Sequence, residues 1–492
     1  MASINPPQVH HRTVDVDGVR VFYREVGAGD GPVILLLHGF PSGSHQFRRL
    51  FDAMASGYRL VAADYPGFGH TEAPTGYRYT FDALADTMEA FVHALDLAPF
   101  VAYMFDFGGP VGMRLAVRHP EWISGIIVQN ANMFDEGLTE LAKDMIANRP
   151  GVTGAEERVR EILELPATRA QYLDGATDAS LIAPEGWLLD QYFLDRPGRK
   201  DAQVSLALDY GSNVSRYAEW QAWLDRVQPP TLVLWGRHDP FFGPGGANAF
   251  STCVPDAEVH LLDTGHFALE ESLPQVTPLI DAFLARTHGQ STALQIAVVG
   301  ASGQLGSEVA QEAAARGHTV AQLRSADADA TVPATWSTDL SRYDTVVLAV
   351  KGPDGTVERA VTAALQGLPA ANPPHLVVVG GGASLKTPDG SPFIELPSFP
   401  QEYLETASDQ AAALSVLRGA DSTIPWTYVS PPPKDLVPGP KTGGHHVEAR
   451  DTPLVDADGA GHATFGDLAA AVVDISERRR FLHRRVTVAS LQ

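Results

Sequence analysis

The 492-residue chain has a single cysteine, Cys253. One thiol cannot form an intramolecular disulfide and is too few for a structural zinc or iron–sulfur site, so a reducing, cytoplasmic setting is expected and no metal site is read. Cations are also scarce: 36 Lys and Arg against 59 Asp and Glu leave a formal net charge of −23. That sign repels phosphate backbones and anionic lipid, which excludes nucleic acid and membrane surfaces as partners. Long apolar runs are missing. Brief runs such as 32–37 and 295–299 fall far short of the roughly 20 residues that span a bilayer. The first twelve residues have no basic start followed by an apolar stretch, so they do not read as a signal peptide. No internal repeat is found.

What is present is ordinary for a globular chain: 44% hydrophobic and 19% charged residues. At roughly 100–200 residues per domain the length implies two or three domains. Short β-branched or aliphatic runs alternate with longer amphipathic stretches, the rhythm of an α/β domain with a largely parallel sheet. Strands are expected at 14–17, 19–25, 33–37, 59–63, 100–104, 123–129, 231–235 and 258–262. The interruption at about 134–224 is too long for a simple crossover and reads as an inserted helical cap. Small polar residues at 289–294 read as a linker, dividing the chain into domains 1–288 and 295–492. Segments 331–340 and 434–457, rich in Pro, Gly and Asp, read as loops.

Three strand ends carry the first chemical pattern. Val101-Ala-Tyr-Met-Phe-Asp106-Phe-Gly-Gly puts an acid between a strand and a glycine-rich entry to a helix; taken alone, Asp106 could equally be a helix N-cap. Thr231-Leu-Val-Leu-Trp-Gly-Arg-His-Asp239 ends in a loop carboxylate, and Leu261-Leu-Asp-Thr-Gly-His266 in a loop histidine. The chain order of nucleophile, acid and histidine, with His38-Gly-Phe-Pro41 upstream, resembles the α/β-hydrolase fold. A carboxylate in the elbow can attack a saturated carbon, whereas a serine there would need an acyl carbon.

Within that family an elbow aspartate resembles epoxide hydrolases, haloalkane dehalogenases and fluoroacetate dehalogenases. Haloalkane dehalogenases hold the halide with a Trp beside the nucleophile and often an Asn after the His-Gly pair; Phe107 and Phe40 stand there and offer no side-chain N–H. Fluoroacetate dehalogenases place arginines where this chain has Phe107 and Pro110. The resemblance therefore implies an epoxide hydrolase. Asp106 would form an alkyl ester, Tyr210 in the cap would donate to the opening oxygen, and Tyr192 is the weaker choice for a second donor. His266, oriented by Asp239, would activate water, and the Phe40 and Phe107 N–H groups would form the oxyanion hole. No cofactor is expected for this half. Phe40, Phe107, Phe134, Trp187 and Trp220 are candidates to line an apolar pocket for a bulky substrate.

The second pattern, Leu294-Gln-Ile-Ala-Val-Val-Gly300-Ala-Ser302-Gly303-Gln304-Leu305-Gly306, is a strand, a G-x-x-G-x-x-G turn and a helix start. Such glycines let the backbone approach a pyrophosphate that the helix N-terminus favours. The next strand ends in Arg324 and Ser325, a cation and a hydroxyl suited to a 2′-phosphate, which points to NADP(H). This half resembles atypical short-chain dehydrogenases of the NmrA-like or flavin-reductase-like type, a Rossmann fold. It departs from ordinary reductases, because Tyr403 is followed at the lysine position of Tyr-x-x-x-Lys by Ala407.

The leading expectation is a bifunctional tailoring enzyme of secondary metabolism. It would join an Asp-His-Asp epoxide hydrolase to an NAD(P)H-dependent reductase-like domain and act on a bulky, apolar small molecule, with self-association into a homo-oligomer left open. The alternatives are a hydrolase with a nucleotide-sensing or scaffolding second domain, a haloalkane-type dehalogenase, and an isomerase using Asp106 as a base.

Overall fold

The computed structural model describes residues 8–27, 32–54, 58–287, 293–323, 329–332, 340–352, 354–370, 373–442, 444–455, 461–479 and 481–490. The chain divides into two compact units, the first covering nearly everything to His288 and the second running from Gly289 to Gln492. Among the described residues no helix is long and apolar enough to cross a membrane.

The first unit is built on an eight-stranded sheet of order β1-β2-β4-β3-β5-β6-β7-β8. The strands are β1 (His10–Val16), β2 (Val19–Val26), β3 (Val33–Leu37), β4 (Arg59–Ala63), β5 (Phe100–Phe105), β6 (Ile123–Gln129), β7 (Thr231–Gly236) and β8 (Glu258–Leu262). β1 and β2 form an antiparallel hairpin. Its two-residue turn is Asp17-Gly18, both at positive φ, which matches the twist of the flanking strands. From β4 to β8 the pairing is parallel. The central strands β5 and β7 are buried along their whole length, which explains their unbroken apolar sequences. Between β6 and β7 the chain leaves the sheet for a series of helices from Glu140–Ile146 to Tyr217–Val227.

The second unit has a seven-stranded sheet of order β10-β9-β11-β12-β13-β17-β15 and a small pair, β14-β16. Its strands are β9 (Gln295–Val299), β10 (Thr319–Leu323), β11 (Thr345–Leu348), β12 (His375–Val379), β13 (Trp426–Ser430), β14 (Asp435–Val437), β15 (His445–Glu448), β16 (His462–Thr464) and β17 (Arg484–Ser490). Helices Thr356–Gly367 and Leu404–Gly419 cover one face, and Gln304–Ala315 and Phe465–Arg478 the other. The α/β class expected for both halves is borne out. One local expectation fails: 434–457 is not simply loop, because β14 and β15 lie within it. Both are short and lie at a sheet edge or in a small separate pair, so neither needs the apolar run that marks a central strand.

Candidate active site

Asp106 follows β5 directly and has φ of +47°, a left-handed conformation that Asp tolerates better than most residues. The elbow is held by close backbone approach. A Cβ on Gly39 would lie 2.3 Å from Cβ of Asp106, and one on Gly108 would lie 2.1 Å from the Leu37 carbonyl oxygen. Asp106 is not the helix cap. The N-cap of helix Gly108–Arg118 is Phe107, without a side-chain bond, while the Asp106 backbone carbonyl accepts from the Gly109 N–H at 2.9 Å. Its carboxylate is turned to the pocket instead. Oδ1 accepts the Phe40 N–H at 2.7 Å, and the Phe107 N–H also donates to the carboxylate.

Oδ2 of Asp106 lies 3.9 Å from Nε2 of His266. The other ring nitrogen, Nδ1, is 2.6 Å from Oδ2 of Asp239. That contact places a proton on Nδ1 and leaves the Nε2 lone pair facing Asp106. Asp239 is itself fixed on every side: Oδ1 accepts from the Phe241 and Phe242 N–H groups at 2.8 and 3.2 Å, and Oδ2 from Nδ2 of Asn130 at 2.7 Å. The Asn130 side-chain oxygen Oδ1 accepts from the Gly236 N–H at 2.9 Å, tying the end of β6 to the end of β7. Asn130 is fully buried at φ of +44° and is a site residue that motif reading missed. Its signal was the polar pair Gln129-Asn130 closing an apolar strand at the same sheet edge as Asp106.

Burial lifts the Asp106 carboxyl to about 6, against the opposing pull of His266 and the two backbone N–H groups. For His266, burial pulls the pKa down, but the Asp239 and Asp106 carboxylates together outweigh it and the net direction is up. Phe105, Phe267 and Phe241 surround the imidazole at ring distances of 4.7, 5.3 and 5.4 Å.

The pocket over these groups has a cavity volume of about 70 Å³. Phe40, Phe107, Tyr210, Phe241 and Phe242 form its aromatic wall. Tyr210 packs on Phe107 and Phe81, and its hydroxyl bonds that of Tyr217. Burial raises its pKa far above the usual phenol value, so it stays a proton donor. Two expectations are corrected. Tyr192 is 64% exposed on the outer face of helix Glu185–Leu194, whose inner face buries Asp190, Phe193 and Leu194, so it cannot donate into the pocket. Phe134, Trp187 and Trp220 do not line it either: Phe134 packs on Phe250, Trp187 on Tyr172, and Trp220 on Tyr217 and Arg114. Large aromatics in the cap and its hinges serve as core.

In the second unit the glycine turn follows β9, whose neighbours are β10 on one side and β11 on the other. This is the point where the winding of the sheet reverses, the usual place for a bound nucleotide. Gly300 has φ of +88°, and a Cβ there would lie 2.3 Å from the Ala349 carbonyl oxygen. A Cβ on Gly306 would lie 2.3 Å from the Gly300 carbonyl oxygen, so helix Gln304–Ala315 can pack against the turn only with glycine at that position. Ser302, Gly303 and Gln304 are exposed at the helix start and Leu305 is partly buried. The arrangement fits a pyrophosphate, since free helix N–H groups face a cradle with no side chain in it. Arg324 and Ser325 lie outside the described residues. Tyr403 is 55% exposed and Ala407 buried. Tyr403 shares a cleft with Lys351, Gln410 and the backbone at Gly380–Gly382, beyond the ends of β11, β12 and β13.

Residues 32–273 match the model of the α/β-hydrolase fold, and residues 300–478 that of NAD(P)H-binding domains. An uncharacterized hydrolase of Saccharomyces cerevisiae is 37% identical over 280 residues, covering 56% of this chain and 97% of that protein. Haloalkane dehalogenase 2 of Mycobacterium bovis is 37% identical over 278 residues, 55% of this chain and 93% of that protein. Epoxide hydrolase 3 of Xenopus tropicalis is 29% identical over 237 residues, 46% of this chain and 63% of that protein. The chain belongs to the α/β-hydrolase family. More narrowly, it is a hydrolase of the epoxide-hydrolase and dehalogenase type fused to an NAD(P)-binding domain.

Proposed function

We propose that the first unit hydrolyses an epoxide on a bulky, apolar small molecule through an ester on Asp106. The observation that carries this reading is the setting of the Asp106 carboxylate: Oδ1 accepts the Phe40 N–H at 2.7 Å, and Oδ2 lies 3.9 Å from Nε2 of His266. Oδ2 attacks the ring carbon as the C–O bond breaks, and the Tyr210 hydroxyl gives its proton to the departing oxygen. The gap between Oδ2 and Nε2 suits a water. His266 removes its proton, the hydroxide adds to Cγ of Asp106, and the Phe40 and Phe107 N–H groups take the oxyanion charge. Collapse passes the His266 proton to the leaving alkoxide and releases the vicinal diol, and the proton left on the regenerated Asp106 carboxyl returns to the Tyr210 phenolate. Asp239, Asn130 and the 241–242 backbone keep His266 in the tautomer this step needs.

Phe40 and Phe107 supply no side-chain donor for a leaving halide, which favours the epoxide over the haloalkane. A panel of arylalkyl and polycyclic epoxides tests the reading. Asp106→Ala should lose diol formation altogether, while His266→Gln should stop after the first step and gain the substrate's mass on the Asp106 peptide. Halide release from bromoalkanes without diol formation would replace it with the dehalogenase reading, which the 37% identity to a haloalkane dehalogenase favours.

For the second unit we infer NADP(H) binding on the 300–306 turn, with Arg324 and Ser325 at the ribose. When bound, the nicotinamide would supply a hydride for reduction of a carbonyl or quinone. Tyr403 stands where a proton could be delivered, without the lysine of ordinary short-chain reductases. Coupled tailoring of one metabolite by both units is the function this arrangement serves best. NADPH titration and oxidation with a carbonyl and quinone panel test it; binding without oxidation across the panel favours a sensing or scaffolding domain.

A further inference from the structure

We propose that the first unit carries a divalent transition-metal site suited to Zn²⁺, formed by Glu89, His93 and His119 at the far end of the helix that begins at the Asp106 elbow. Glu89 and His93 are four residues apart on helix Phe81–Ala94 and so share a face. His119 is the C-cap residue of helix Gly108–Arg118. One ligand atom from each of the three lies within 4.8 Å of the others. In tetrahedral zinc sites with bonds of about 2.0–2.1 Å, ligand atoms sit about 3.3 Å apart. Oε1 of Glu89 and Nε2 of His119 are already at 3.0 Å, and His93 brings a third ligand atom within 4.8 Å of both from an exposed side chain.

Four features separate this cluster from a chance group of surface ions. The His119 ring stacks on Trp122 at 3.8 Å and 9°, and the His93 ring meets the same buried indole edge-on at 4.8 Å, so both imidazoles are braced before any metal arrives. Oε1 of Glu121 lies 3.4 Å from Nδ1 of His119. A carboxylate on the second nitrogen is the device that orients a metal-bound imidazole and raises its basicity. Arg118 uses Oε2 of Glu89 and Oδ1 of Asp86, while Oε1 of Glu89 faces Nε2 of His119, the pair of atoms a bound cation would bridge. Finally, both helices end here, and the negative ends of their dipoles favour positive charge. A metal at this point would clamp the helix that begins at the elbow to its neighbour.

The test is calorimetric titration of the metal-stripped full chain with ZnCl₂, together with thermal melts. Saturable one-site binding and an EDTA-reversible rise in melting temperature are expected. Both should vanish in His93→Ala and in His119→Ala, and Glu121→Gln should weaken binding 10- to 100-fold. Cobalt(II) should give the visible absorption of a tetrahedral site in the wild type alone. The proposal is overturned if the wild type shows no saturable zinc binding. It is equally overturned if both histidine variants, folded by circular dichroism, bind zinc as the wild type does, since the ion would then sit elsewhere.

Discussion

Asp106 and His266 titrate in the same direction away from their ordinary values, and the two halves of the proposed reaction read them separately. Attack needs Asp106 ionised, so the rate of ester formation should fall as pH drops through about 6. Ester hydrolysis needs His266 neutral, and with its pKa raised that step should fail first on the acid side. Rapid-quench mass spectrometry across pH should therefore show ester building up as the buffer is acidified, then disappearing once Asp106 is protonated. The same burial has a stability consequence. A carboxyl raised from 3.8 to about 6 makes folding costlier when ionised, by about 3 kcal/mol once the pH is above both values. Asp106→Asn, which suits φ of +47°, should be inactive yet melt higher at pH 7, and the gain should vanish below pH 4. Asn130→Ala strips one donor from Asp239 and unties Gly236, and should slow ester hydrolysis more than ester formation while costing about 1–3 kcal/mol in denaturant melts.

Turns and strand ends carried most of what the sequence made readable. The placements of Asp106, Asp239 and His266 stood out because each lies in a loop just after a strand, and the glycines at 39 and 108 are ones that close approach demands. The cap was harder. Helix Glu185–Leu194 mixes apolar and polar residues on all sides, so Tyr192 could not be assigned to a face, whereas Tyr210 sits at a helix junction that turns its ring onto Phe107. Asn130 was hidden because its role depends on β6 and β7 being neighbours in the sheet, although the whole cap lies between them in the sequence. Glycine substitutions test the elements directly. Gly39→Ala should abolish turnover by pushing Asp106 aside. Gly306→Ala should remove NADP(H) binding, measured by fluorescence titration, and leave diol formation intact.

On the scale of the molecule, two separate sheets with their own cores allow the two candidate sites to be disabled one at a time. NADPH at a hundred times its dissociation constant should stabilise the second unit by about 2.7 kcal/mol. Hydrogen exchange should slow in 295–323 and stay unchanged around Asp106. The net charge of −23 does not bar a locally bound anion, because a glycine turn at a helix start can attract one through backbone N–H groups. The carboxylate oxygens of Asp106 reach furthest into the product. If Oδ2 is the atom handed to the substrate and water refills its place, each diol carries an oxygen that entered the protein one turnover earlier. Enzyme moved into heavy-oxygen water would then release an unlabelled first product and keep the label in its own carboxylate, so that the isotope appears in the diol only from the second cycle onward.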